Sequence, residues 1–223
     1  MNVLAGQLSR ILPAGMHLPD PIGRLYGWIE QHGLYLDAPD GERSGFLYPP
    51  AKLRSEWTDS ERPGGTDIAF AAYGSHGLDH WLGRSEPELM ARLCAFARTG
   101  AEGSMAAFWL DDQGRQRIVH LGSGSGSTLT CVLANDPVDF LRLIAIGYDE
   151  ICWDEKFDMP PNASLGEDEI HVRPNLEFQD WVRTSFDAPI PAKASEIVRT
   201  PAELEDGGTS DDPFLAWVLE NRG

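Results

Sequence analysis

The first clear pattern is helical. Ile22, Leu25, Tyr26 and Ile29 fall on one face of a segment that opens at Asp20-Pro21 and closes at Gly33. Aspartate before proline suits an N-cap followed by the first helical position, and the glycine suits a left-handed C-terminal turn. Beyond it the runs shorten. Leu34-Tyr35-Leu36 and Phe46-Leu47-Tyr48 predict strands around the turn residues Asp40-Gly41, and Pro49-Pro50 ends the unit. The stretch 58–66 holds Pro63-Gly64-Gly65, which rules out a regular element. Asp67 to Tyr73 reads as a strand. Ser85-Glu86-Pro87-Glu88 predicts a capping box that starts a helix carrying Leu89, Leu93, Phe96 and Ala97 inward and stopping at Gly100.

Then the period becomes extended. Met105 to Leu110, Arg117 to Leu121 and Thr128 to Ala134 predict three strands of an antiparallel meander, joined by the turn 111–114 and a flexible Gly122–Ser127 connection. Asp136-Pro137 starts a helix with Phe140, Leu141, Ile144 and Ala145 inward. Residues 154–174 read as loop. Asn175 caps a helix with Phe178, Trp181, Val182 and Phe186, and Asp212-Pro213 starts another with Phe214, Trp217 and Val218. Glu203 to Asp212, between them, reads as an exposed, mobile acidic loop. Strand runs with peripheral helices give an α+β fold, with a mixed, largely antiparallel central sheet and helices packed around it. Residues 1–200 form one domain, and 201–223 an acidic extension ending in a short helix.

Charge changes the picture most. The chain carries 35 acidic residues against 18 Lys and Arg, a net −17. Residues 1–148 hold 17 acids and 12 bases, whereas residues 149–223 hold 18 acids and 6 bases. Such a surface repels a phosphate backbone, so no nucleic-acid partner is expected, and it attracts a basic protein. Its bland reading is solubility. Apolar runs are too short to span a membrane, and residues 1–12 lack the pattern of a secretory signal. Cys94, Cys131 and Cys152 are an odd number in apolar surroundings without a C-x-x-C, which points to buried thiols and a cytoplasmic home.

Motifs for catalysis are weak. Gly122-Ser-Gly-Ser-Gly-Ser127 lacks the lysine of a phosphate loop and precedes a strand rather than a helix. No G-x-S-x-G elbow is present. His76 and His80 flank Asp79 at a spacing that suits a metal only on a helix, and Gly74, Gly77 and Gly83 oppose one. A third ligand would have to come from His17, His120, His171 or an acid. No catalytic residue, metal or cofactor is assigned. Instead Asp149, Glu150, Trp153, Asp154 and Glu155 place an aromatic among carboxylates, the make-up of an interface anchor, although a strand with polar residues facing water gives the same pattern. Asp111 and Asp112 of the 111–114 turn join this partner-binding set.

Three stretches resemble the SUKH superfamily, the immunity-protein group that also includes a fungal cell-wall assembly regulator. They are Gly64 to Ala71 followed by Gly74, Gly77, His80 and Trp81, then Ile118 to Gly122 through Cys131 to Ala134, then Phe140 to Glu150. Phe178 to Val182 is similar to the appended helix of longer bacterial members. The serine-glycine loop and the acidic segment after Pro201 depart from the pattern. The resemblance implies a mixed sheet without a catalytic centre, and a non-enzymatic protein that neutralises a cognate, often basic, polymorphic toxin. It supplies no contact residues. A regulatory scaffold for endogenous proteins is the alternative. A metal-dependent hydrolase around His76, Asp79, His80 and His120 is the third reading.

Overall fold

The computed structural model describes residues 2–50, 61–62, 66–163 and 171–223, with the backbone alone at 61–62 and 171. Trp57, Gly64, Gly65 and most of the irregular 58–66 segment lie outside the described residues, as does the acidic run 167–169.

The fold is α+β, built on a seven-stranded sheet in sequence order with every pairing antiparallel. Its strands are β1 (Tyr35–Asp37), β2 (Arg43–Phe46), β4 (Ala69–Gly74), β5 (Leu93–Arg98), β6 (Met105–Leu110), β7 (Gln116–Leu121) and β8 (Val132–Ala134). Between β2 and β4 the chain leaves the sheet, and β3 (Glu61–Arg62) pairs in parallel with β9 (His171–Val172). That short pair falls inside segments read from sequence as loop.

Alternation on the central strands separates two cores. Cys94, Phe96, Ala106, Phe108 and Ile118 face the larger one. Helices α1 (Val3–Ile11), α2 (Asp20–Gln31), α4 (Pro137–Ala145) and α5 (Leu176–Phe186) cover it. Leu93, Ala95, Ala107, Trp109, Val119 and Leu121 face the other, closed by Leu78 and Leu82 of α3 (Leu78–Leu82) and by Phe214, Trp217 and Val218 of α6 (Pro213–Asn221). Among the described residues no helix is long and apolar enough to cross a membrane.

The predicted helix over 85–100 is the main correction. Only Pro87–Met90 makes a helical turn, and no side chain caps it; the Glu86 carboxylate is taken by Arg84. Leu93 to Arg98 is instead the sheet's middle strand. A strand covered on both faces shows no polar alternation, so its apolar run imitates a buried helix. A bulge between Ala95 and Ala97 turns Phe96 and Ala97 to the same face, and Phe96 stacks on Phe108 at 4.3 Å. Helix α1 was not read from the sequence at all. Its cap, Asn2, accepts from the Ala5 amide at 2.8 Å, and Leu4, Ala5 and Leu8 are buried.

Other punctuation holds. Asp136 and Asn175 cap α4 and α5 through the amides of Val138 and Phe178, and Asp212 caps α6 through those of Phe214 and Leu215. Asp20, by contrast, is the first residue of α2, with no side-chain cap. Residues 128–134 make a shorter strand than expected. The strand proper is Val132–Ala134; before it the Cys131 and Leu129 carbonyls still accept from the His120 and Gly122 amides, while the Thr130 amide donates to Ala202 and Leu129 bridges Glu203. The segment expected to be a mobile loop after Glu203 forms 3-10 turns over Leu204–Thr209.

Candidate functional site

At the β5–β6 end of the sheet, three loops meet. Glu102 turns back in the hairpin after β5, accepting from the Ser104 amide at 2.6 Å and from the Ser104 hydroxyl. Gly100 lies against Cys152, whose Sγ would stand 2.7 Å from any added Cβ. Glu150 joins two of the loops, because its carboxylate accepts from the Ala101 amide and from the Trp153 indole, each at 2.6 Å. Trp153 is half-buried over Gly126 of the serine-glycine loop. Burial first, then the Glu150 and Glu102 carboxylates, push the Cys152 thiol far up. It stays a neutral, unreactive thiol.

Asp154 and Glu155 ride on the 3-10 turn Asp154–Lys156. Glu203, bridged to Leu129, brings the turn that carries Glu205 and Asp206 alongside. Burial and then the Asp154 carboxylate, with which it shares a hydrogen bond, raise the Glu203 carboxyl above its ordinary range; Glu205 and Asp206 add to this. Among the described residues none of these five carboxylates has an ion-pair partner, whereas Asp158 is paired with Lys193 at 3.1 Å and Asp180 with Arg183 at 2.8 Å. The result is a concentrated negative surface beside an amphipathic ring.

The other expected contact residues lie elsewhere. The Asp149 carbonyl accepts from the Thr66 hydroxyl at 2.6 Å and the Asp67 amide at 2.9 Å, so its backbone ties the loop after α4 to the start of β4. Asp111 is buried. It accepts from the amides of Gln113 and Arg115 and pairs with both Arg115 (2.8 Å) and Arg117 (3.1 Å). Burial raises its carboxyl, but these donors together outweigh burial and hold it below its ordinary value. It organises the β6–β7 turn and has no free face for a partner. Asp112 is exposed but pairs with Arg92 at 2.7 Å. Both lie at the far end of β6 from Glu102, on the order of 17–20 Å away for a strand of this length. The set read from the sequence therefore divides into two ends of the sheet.

The histidines do not converge either. His76, Asp79 and His80 line an open cleft of about 420 Å³ with Ser75, Ser85 and Met90. Leu78 and Leu82 root this segment in the smaller core. His120 follows the alternation of β7 and sits with Ile118 on the opposite face, fully buried. Its ring bonds to Thr99 Oγ1 at 2.9 Å and to the Leu129 carbonyl at 2.8 Å. Burial lowers its pKa to about 4, against the opposing pull of Leu129 and Glu102. Among the described residues no three His, Cys, Asp or Glu side chains are grouped to hold a metal ion.

One feature gave no sequence signal. Among the described residues, the indole N–H groups of Trp109 and Trp217 and Nη2 of Arg92 are buried without a hydrogen-bond acceptor. The two rings are neighbours, 5.9 Å between centroids, and the Arg92 guanidinium lies 5.1 Å from Trp217 and 6.0 Å from Trp109. A buried unpaired donor costs roughly 1–3 kcal/mol, so three together are a notable concentration. Residues 92, 109 and 217 meet only through the fold. The chain matches no family model, no curated protein and no solved structure.

Proposed function

We propose that this chain is a non-enzymatic protein-binding module: a cytoplasmic immunity protein of the SUKH type that neutralises a basic toxin domain. The observation that carries this reading is the group of unpaired carboxylates Asp154, Glu155, Glu203, Glu205 and Asp206 beside Trp153. Like charges held close repel one another, and a lysine- or arginine-rich partner converts that repulsion into attraction. Trp153 is already fixed by Glu150, so an anchor residue is presented with little ordering left to do on binding. The charge on the rest of the chain steers a basic partner from a distance.

The test starts from the genes beside this one: a neighbouring toxin domain supports the reading and is the partner to use, and its absence counts against it. Co-expression of this chain should restore growth to cells that make the toxin, and association measured with purified proteins should slow steeply as salt is added. The triple variant Asp154→Asn/Glu203→Gln/Asp206→Asn should fold, yet associate at least about tenfold more slowly because steering is weakened. Full protection by that variant, with an unchanged on-rate, would remove the basis for this reading.

A further inference from the structure

An open sheet has two edges, and among the described residues this chain closes only one of them. Along β8 the Val132 amide donates to Asp212 Oδ2 at 2.9 Å. The segment leading into it is covered as well, with the Thr130 amide on the Ala202 carbonyl at 2.7 Å and the Leu204 amide on the Thr128 carbonyl at 3.2 Å. The other edge is β1. There the Leu34 carbonyl accepts from Phe46 and the Ala38 amide donates to Glu42, each at 2.8 Å, with Leu36 opposite Ser44 between them. Residues 34, 36 and 38 therefore turn their backbone toward β2, and the amides and carbonyls of Tyr35 and Asp37 turn outward. Among the described residues nothing bonds to those outward groups. Leu36 and Asp37 are exposed, Leu36 by 36%.

We infer that a second copy of this chain pairs on this edge, its β1 antiparallel to the first about a two-fold axis at Leu36. In that register Tyr35 of each copy stands opposite Asp37 of the other, and each such pair exchanges both backbone hydrogen bonds. Neighbouring registers are worse. Centred on Asp37, the pairing sets two carboxylates against each other and meets Pro39, which has no amide; centred on Tyr35, it runs Asp37 into the left-handed turn at Gly33 (φ +66°). The side chains agree. Two Leu36 residues face one another as a non-hydrogen-bonded pair, with Cβ atoms about 4.5–5.5 Å apart. On the opposite face Arg43 donates to Asp37 at 2.7 and 2.8 Å and lies 3.7 Å over the Tyr35 ring. Each Asp37 thus arrives already neutralised, beside the ring that carries the second copy's Arg43, and opposite charges meet despite a net −17. That reciprocity singles out a second copy rather than a foreign strand. Pro39 ends the ribbon, so the contact is short and the dimer weak. With β8 covered, the pairing closes at two copies.

Sedimentation of the full chain from micromolar to near-millimolar concentration should show the mean mass rising toward that of two chains. In ¹⁵N spectra over the same series the Tyr35 and Asp37 amides should shift together while those of Asp154 and Glu203 stay still, which separates this contact from the proposed toxin surface. Leu36→Lys should weaken association by at least about tenfold, since an apolar pair becomes a repulsive one, and should leave the thermal melt unchanged. Leu176→Lys, the same change at a leucine 68% exposed on α5, should have no effect. The native cysteines are all buried, so Leu36→Cys adds an accessible thiol and should link two chains under mild oxidation. Ala38→Cys, about 13 Å from its counterpart in this register, should not. A chain that stays monomeric throughout the series, association that survives Leu36→Lys, or Ala38→Cys linking as readily as Leu36→Cys overturns the inference; the first of these leaves the edge to a foreign strand or to water.

Discussion

His120 shows how a single residue can tie stability to pH. With its folded pKa near 4 and an ordinary value of 6.5, the ring stays neutral in the fold while the unfolded chain takes up a proton below about 6.5. Stability is therefore complete above that pH and drains away as pH falls from 6.5 to 4. The full loss is about 3 kcal/mol for a shift of this size. Urea unfolding across this window should show the decline, and His120→Gln, which cannot take the proton, should show a shallower one; equal slopes would contradict it. Glu203 behaves in the opposite sense. Its raised carboxyl means that the fold prefers the protonated form, a contribution present below its ordinary pKa and lost as pH rises through the folded one. Glu203→Gln should thus be as stable as the parent near pH 4 and more stable by roughly 0.2–1 kcal/mol at pH 7, as thermal melts at the two pH values would reveal. Sequence marks neither environment. His120 stands in a strand like any other residue, and Glu203 meets Asp154 only through the fold.

Among the elements, α6 depends on one carboxylate. Asp212 is buried and serves three amides: Phe214 and Leu215 through Oδ1 and Val132 of the edge strand β8 through Oδ2, all at 2.9 Å. Asp212→Ala should cost about 2–4 kcal/mol, more than an ordinary cap, because a sheet amide is orphaned along with the helix start; Asp212→Asn should fall between the two in a denaturant titration. The serine-glycine connection has a similar hidden demand. A Cβ on Gly122 would meet Ser127 O at 2.7 Å and the Thr128 and Leu129 backbone within 2.9 Å, while Gly124 faces open space. Gly122→Ala should destabilise by about 1–3 kcal/mol, the cost of forcing an extra carbon into packed structure, and Ala at Gly124 should act only through its positive φ. Helix starts at Asp136, Asn175 and Asp212 were legible because capping is local chemistry. The strand at 93–98 was not, since two-sided burial erases the alternation that distinguishes strand from helix. Of the acidic surface, the contiguous stretch at 150–155 could be read directly, whereas its partner segment at 203–206 required the bridge at Leu129.

For the molecule as a whole, the acidic surface sits at one end of the sheet and the two cores lie on its faces. The carboxylates of the last third gather partly around Trp153, while others, such as Asp158 and Asp180, are neutralised locally. Phe214 is fully buried against Trp81, Trp109 and Trp217. Phe214→Ala should lower stability by about 3–5 kcal/mol, measurable by chemical denaturation, and leave association with a basic partner unchanged once the protein is folded.

The position of α6 bears on how this protein is made. Until the ribosome has passed Asn221, the side of the sheet carrying Trp109, Val119 and Leu121 lacks α6 to close it. A growing polypeptide would thus present a sticky aromatic plane from the completion of β7 until α6 emerges, a hazard that nascent-chain chaperones exist to manage. Stalling translation just before Pro213 should yield a species that binds hydrophobic dye and precipitates when released, whereas release a few residues beyond Asn221 should give soluble material.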